Sequence, residues 1–325
     1  MVFFTEYTVA FNRSAKQGFD IVIGNPPYGA KLNNDEKDNI KKEYISTKTI
    51  KGVQKGSLDT FTLFIELGYN IAHAKGNAAM IVPISITSSE SVSGIHRLLL
   101  NHCENIRISS YAVRPQPVFE HAVVNTSIIL FKKSDTICQH VYSTKMYRKG
   151  RNFDLTTLIN NLQFVDVKDY LLFGRIPKIS TSIELSILSK LRTHYKVKDY
   201  IRTAGTPIVY RFAGGRYFKV VTNYSNGSSA ERVIYFDNDI ANCIGCILSS
   251  NLSFWFYQIY SDNLNWKTYE IEEFRIPPLN TETKEQLNSL YSEYLQDIEV
   301  NANIRQTNQN SSYNVAAFKE YKKRI

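Results

Sequence analysis

One short run constrains this chain more than any other: Phe19-Asp20-Ile21-Val22-Ile23, ended by Gly24 and followed by Asn25-Pro26-Pro27-Tyr28. A continuous apolar run of this length suits a buried strand of a parallel sheet covered by helices. The two prolines forbid its continuation as strand or helix, so the chain must leave the sheet there. Beyond residue 57, helix and strand patterns alternate. Leu58, Phe61, Ile65, Tyr69 and Ala72 share one face of an expected helix, with Ser57 as its cap and Gly76 as its stop. Residues 78–82 read as a second buried strand closed by Pro83, residues 89–101 as a helix, and residues 106–111 and 126–131 as strands expected to form an antiparallel edge. That order predicts an α/β domain over residues 1–145.

Between the first strand and the first strong helix, residues 29–57 hold seven lysines (Lys31, Lys37, Lys41, Lys42, Lys48, Lys51 and Lys55) and four acids. The stretch is too long for an ordinary connection, and is either a functional loop or the carrier of a short helix. The alternating order breaks near 143–180, which places a domain boundary at 145/146. A mixed α+β region is expected over 146–280, with a helix at 182–191, a strand-rich piece at 210–221, and one aromatic helix across 240–260. A C-terminal helix and polar tail occupy 281–325.

The chain has 325 residues, 39 Lys and Arg against 30 Asp and Glu, and a formal charge of +9. The basic excess favours a polyanionic partner. Arg211, Arg216 and Lys219, interleaved with Phe212, Tyr217 and Phe218, form a mixture suited either to nucleic acid or to strand core with exposed cations. Cys243 and Cys246 have CxxC spacing but lie in an apolar run with no second pair or nearby His, so core packing is expected and no metal site. No leader pattern and no membrane-length apolar run is present, and a cytoplasmic, non-membrane protein is expected.

The Asn25-Pro26-Pro27-Tyr28 tetrapeptide has a definite chemistry. An amide oxygen and a stiffened backbone carbonyl can accept both N–H bonds of a base's exocyclic amine, which directs the nitrogen lone pair toward an electrophile. Asn25 supplies the amide, Pro26 a carbonyl stiffened by Pro27, and Tyr28 an aromatic face to stack on the base. Such groups belong just beyond the carboxyl end of a strand. The competing reading is a proline-rich turn in which Asn25 closes a local side-chain turn.

These residues resemble the amino-methylating DNA methyltransferases, specifically the adenine-N6 group of restriction–modification systems with a C-terminal target-recognition domain. Ile23 to Tyr28 matches that family's catalytic motif. Residues 58–83 resemble its next helix and strand, and residues 118–130 a later motif. The resemblance implies a partial Rossmann-like methyltransferase sheet followed by a mixed α+β recognition domain, S-adenosyl-L-methionine as cofactor and double-stranded DNA as partner. It implies that Asn25, Pro26, Pro27 and Tyr28 are catalytic. It further implies that Phe119 stacks on the flipped adenine, that Asp59 lies near the methyl donor, and that Arg211, Arg216 and Lys219 contact DNA. The family's glycine-rich donor loop normally precedes the tetrapeptide and is not found here. The chain is therefore expected to be a fragment or split half that needs an N-terminal methyltransferase or restriction polypeptide for activity. A recognition or interaction subunit without activity of its own is the alternative, and cytosine-N4, RNA or protein amides remain open as substrates.

Overall fold

The computed structural model describes residues 18–29, 31–119, 123–150, 155–213, 220–225, 227–301, 305–307 and 310–312. The chain divides into two compact units, Met1–Leu185 and Ser186–Ile325. The break placed at 145/146 by sequence falls inside a strand of the first unit's sheet, His140–Tyr147.

In the first unit, β1 (Phe19–Gly24) runs parallel to β2 (Ala72–Pro83), with Ile23 opposite Ala79. The connection carries α1 (Asn34–Glu43) and α2 (Thr60–Ile71). α1 starts on a capping box, in which Asn33 Oδ1 accepts from the Glu36 amide at 2.8 Å and Glu36 Oε2 accepts from the Asn33 amide at 2.9 Å. The cap of α2 is Asp59 rather than Ser57, whose hydroxyl instead accepts from the Asp59 amide at 3.0 Å. Nor does Gly76 stop α2. The helix ends at Ile71, β2 begins at the next residue, and Gly76 lies inside that strand. A Cβ at Gly76 would come within 2.6 Å of the Phe19 carbonyl oxygen, so this glycine serves the close approach of β2 to β1.

Two 3₁₀ turns lead from β2 into α3 (Ser93–His102), followed by β3 (Cys103–Tyr111), β4 (Thr126–Lys133), β5 (His140–Tyr147), α4 (Leu155–Asn160) and β6 (Val165–Asp166). The sheet order is β1-β2-β4-β3-β5-β6. β4 is antiparallel to both β2 and β3. The expected antiparallel pair is thus present but is not an edge: β4 sits inside the sheet, where Ile129 and Phe131 are fully buried. Ile65, Val82, Ile95, Leu99, Ile108 and Val141 complete a core shared by the sheet and its helices. Among the described residues β1 is an edge strand. Val22 lies on the side of α2, and Ile21 and Ile23, on the other face, are 67% and 80% exposed.

Helix α5 (Ser182–Arg192) spans the division between the units. In the second unit, β7 (Tyr195–Lys196), β8 (Ile201–Arg202), β9 (Thr206–Arg211), β10 (Val221–Thr222) and β11 (Glu231–Phe236) precede α6 (Ala241–Leu248), α7 (Asn251–Tyr260), α8 (Thr268–Glu272), β12 (Arg275–Ile276) and α9 (Thr281–Asn301). Four strands form a sheet in the order β10-β9-β11-β8, and β12 pairs with β7. The aromatic run is two helices, not one. Ser250 breaks it by accepting from the Ser253 amide at 3.1 Å, which caps α7. Cys243 and Cys246 are buried in α6, as core packing requires, and burial pushes the Cys246 thiol up to about 12. Gly245 lets α6 close on α9, since a Cβ there would meet the Tyr291 ring at 2.5 Å.

Candidate functional site

The carboxyl ends of β1, β2 and β3 and the start of β4 share one end of the first sheet, where Tyr111 pairs with Thr126 and Thr126 with Pro83. Asn25 to Tyr28 lie at that end. Two long-range hydrogen bonds fix the loop: Thr60 Oγ1 donates to the Pro27 carbonyl at 2.6 Å, and the Tyr28 hydroxyl donates to the Ile81 carbonyl at 3.2 Å. Burial raises the Tyr28 phenol above its ordinary value, so it remains a protonated donor. Pro26 is buried, Tyr28 half-buried, and Asn25 exposed. Gly24 lies against the Met80 thioether: a Cβ there would come within 2.5 Å of the sulfur, and the Met80 side chain would have to move. Neither the Asn25 amide nor the Pro26 carbonyl is hydrogen-bonded to a described residue. The loop is therefore held at its second half and leaves its first two polar groups open.

Asp59 is exposed at the N-terminus of α2, and its carboxylate does not cap the helix. The adjoining Thr60 ties that helix end to Pro27. Phe119 is half-buried in the connection from β3 to β4, which emerges at the same end of the sheet. Sequence reasoning missed Asn125. Its Oδ1 accepts from the Val113 amide at 2.8 Å and its carbonyl from the Ile84 amide at 2.9 Å, joining the β2–α3 and β3–β4 connections at this end. A polar residue heading an apolar strand was the available signal.

The lysine-rich connection separates into two parts. Its four acids all belong to α1, whereas residues 44–57 contain Lys48, Lys51 and Lys55 and no acid. This second part is pinned by Glu66, buried in α2, which accepts from the Ile45 amide at 2.7 Å and the Ser46 amide at 2.9 Å. Glu66 was also missed, because an acid in an amphipathic helix looks like an ordinary solvated position.

In the second unit, Arg211 is half-buried at the end of β9, and its Nε donates to the Ala213 carbonyl at 3.0 Å. The neighbouring Phe212 ring lies 4.0 Å below the Arg232 guanidinium, a cation–π contact that sequence reading did not single out. Arg216 and Lys219 lie outside the described residues. Among the described residues no helix is long and apolar enough to cross a membrane.

The chain is distantly related to the methyltransferases of restriction–modification systems. The matching family model is the Eco57I restriction-modification methylase, over residues 3–119, a span that includes the whole candidate loop, Asp59 and Phe119. A putative type II restriction enzyme and methyltransferase of Methanocaldococcus jannaschii is 23% identical over 169 residues, 50% of this chain and 13% of that protein. The fold resembles that of the Type IIL restriction-modification enzyme MmeI, solved in complex with DNA, with a TM-score of 0.52 and 12% identity. That match covers 85% of this chain and 49% of MmeI. The chain thus spans about an eighth of the curated relative and about half of MmeI.

Proposed function

We propose that this chain carries the base-facing half of an adenine-N6 DNA methyltransferase site, transferring a methyl group from S-adenosyl-L-methionine to adenine in double-stranded DNA. The observation that carries the reading is the candidate loop itself: locked through Pro27 and Tyr28, it leaves the Asn25 amide and the Pro26 carbonyl without a hydrogen bond to any described residue. Asn25 Oδ1 and the Pro26 carbonyl accept the two N–H bonds of the adenine amine and keep its lone pair directed at the methyl carbon. The Tyr28 ring, anchored by its hydroxyl, gives the flipped base one stacking surface, and Phe119 supplies the other. The cofactor supplies an electrophilic methyl group. Of the described residues, Asp59 has the chemistry to take its ammonium or ribose hydroxyls, and a glycine-rich turn from strand into helix is not among them. Donor binding is therefore completed by residues other than those described, in this chain or in a partner methyltransferase or restriction polypeptide. Arg211, with Arg216 and Lys219, contributes DNA contacts from the second unit.

The test is methyl transfer to DNA by the chain, alone and together with a polypeptide carrying a glycine-rich donor loop, followed by nucleoside analysis. N6-methyladenine that disappears in Asn25→Ala supports the reading. N4-methylcytosine, or N6-methyladenine that persists in Asn25→Ala, overturns it.

A further inference from the structure

Residues 44–57 form a knuckle whose base is rigid and whose tip is unusually apolar for an exposed turn. Ile50 and Gln54 exchange both backbone hydrogen bonds at 2.9 Å, and Gly52 turns the tip with φ +73°. The buried Gln54 side chain donates back to the Ile45 and Lys48 carbonyls, and the Lys55 amide donates to Ser93 Oγ at 2.7 Å. Glu66 holds Ile45 and Ser46 from below. Gly56 cannot be replaced, since a Cβ there would lie 1.8 Å from the Thr47 carbonyl oxygen. On this fixed base stand Ile50 and Val53, 41% and 47% exposed, close in sequence to Lys48 and Lys51. Neither lysine is ion-paired with a described residue, and the knuckle holds no acid of its own.

An exposed apolar tip on a preorganised turn has little reason to be tied down by buried polar groups unless its position matters. Its charge is complementary to a polyanion, and its two branched side chains have the size to enter a gap between bases. The knuckle also leads through Ser57 into the helix end whose Thr60 holds Pro27. We infer that it is a DNA wedge: Ile50 and Val53 enter the duplex beside the target base pair and stabilise the unstacked state, while Lys48 and Lys51 hold the flanking phosphates. Apolar wedges backed by cations unstack base steps in this way. The inference rests on the proposed action at a base taken out of DNA.

The experiment compares binding of the full chain to a perfectly paired duplex and to the same duplex with one mismatched adenine, where unpairing is easier. The wild-type chain is expected to prefer the mismatch by about tenfold. Ile50→Ser/Val53→Ser removes that preference and Ile50→Leu/Val53→Leu keeps it. Lys48→Gln/Lys51→Gln lowers the slope of log affinity against log salt by about 2. All four residues are exposed, and the thermal transition of each variant is followed to show that it folds. A serine variant that still prefers the mismatch, a wild-type chain that binds both duplexes equally, or a glutamine variant with an unchanged salt slope overturns the wedge. Failure of the wild-type chain to bind either duplex overturns the DNA reading beneath it as well, so the two failures are distinguishable.

Discussion

Replacing Glu66 by glutamine changes one oxygen into an amide NH₂ and leaves the side chain's shape intact. In the structure both carboxylate oxygens accept from consecutive backbone amides, Ile45 at 2.7 Å and Ser46 at 2.9 Å, and the residue is 2% exposed. Glutamine can satisfy one of these amides and must turn a donor toward the other. The loss is one charge-assisted hydrogen bond plus a buried amide without a partner, together about 3 kcal/mol. For a cooperative unit the size of Met1–Leu185 that corresponds to a fall in Tm of roughly 6–12 °C, at about 2–4 °C per kcal/mol. Calorimetry measures the shift, and hydrogen exchange locates it: the amides of Ile45, Ser46 and Gln54 should lose protection while those of β4 retain theirs. A transition essentially unchanged from wild type, with unaltered exchange at Ile45 and Ser46, would refute the claim that Glu66 carries the knuckle.

Thr60→Val removes the hydroxyl that orients Pro27 at nearly constant volume, and under the proposed function is expected to lower kcat for methyl transfer by about 10²-fold, as ångström-scale misplacement does. KM for DNA should change little and Thr60→Ser should recover the rate, whereas a wild-type kcat in Thr60→Val would show that the bond does not position the loop. His96 is buried, its Nε2 lies 2.7 Å from the Ile86 carbonyl, and desolvation pulls its pKa down from 6.5 to about 4. The unfolded chain therefore binds a proton first as pH falls. The stability linked to His96 is intact above about 6.5 and declines toward pH 4, by roughly 2–3 kcal/mol at pH 4.5. Urea titrations at about pH 7 and about pH 4.5 should show a shallower acid loss in His96→Gln; equal losses in both proteins would count against His96 as the cause.

What could be read from the sequence was what neighbouring residues decide among themselves. β1 was legible as a strand because an apolar run, a glycine and two prolines are contiguous, but not as the buried strand expected, since Ile21 and Ile23 are exposed, and α1 was allowed for by the length of residues 29–57. Non-local decisions were hidden. Gly76 carries the mark of a helix stop, yet its use is set by the Phe19 carbonyl on another strand. The insertion of β4 between β2 and β3 depends on pairings that no local pattern displays. The candidate site divides in the same way. Asn25 to Tyr28 announce themselves, while Thr60, Glu66 and Asn125 act on partners 33, 21 and 12 residues away and carry no local signature. Those hidden residues bear on the choice between a functional loop and a proline-rich turn. A turn needs only its own residues, and Asn25 would close it by bonding to nearby backbone. Here the loop is held by Thr60 and by the Tyr28 bond to β2, and the Asn25 side chain makes no local bond among the described residues. An amide left exposed on a loop fixed from two other elements is free to meet a ligand, as the proposed site requires of Asn25.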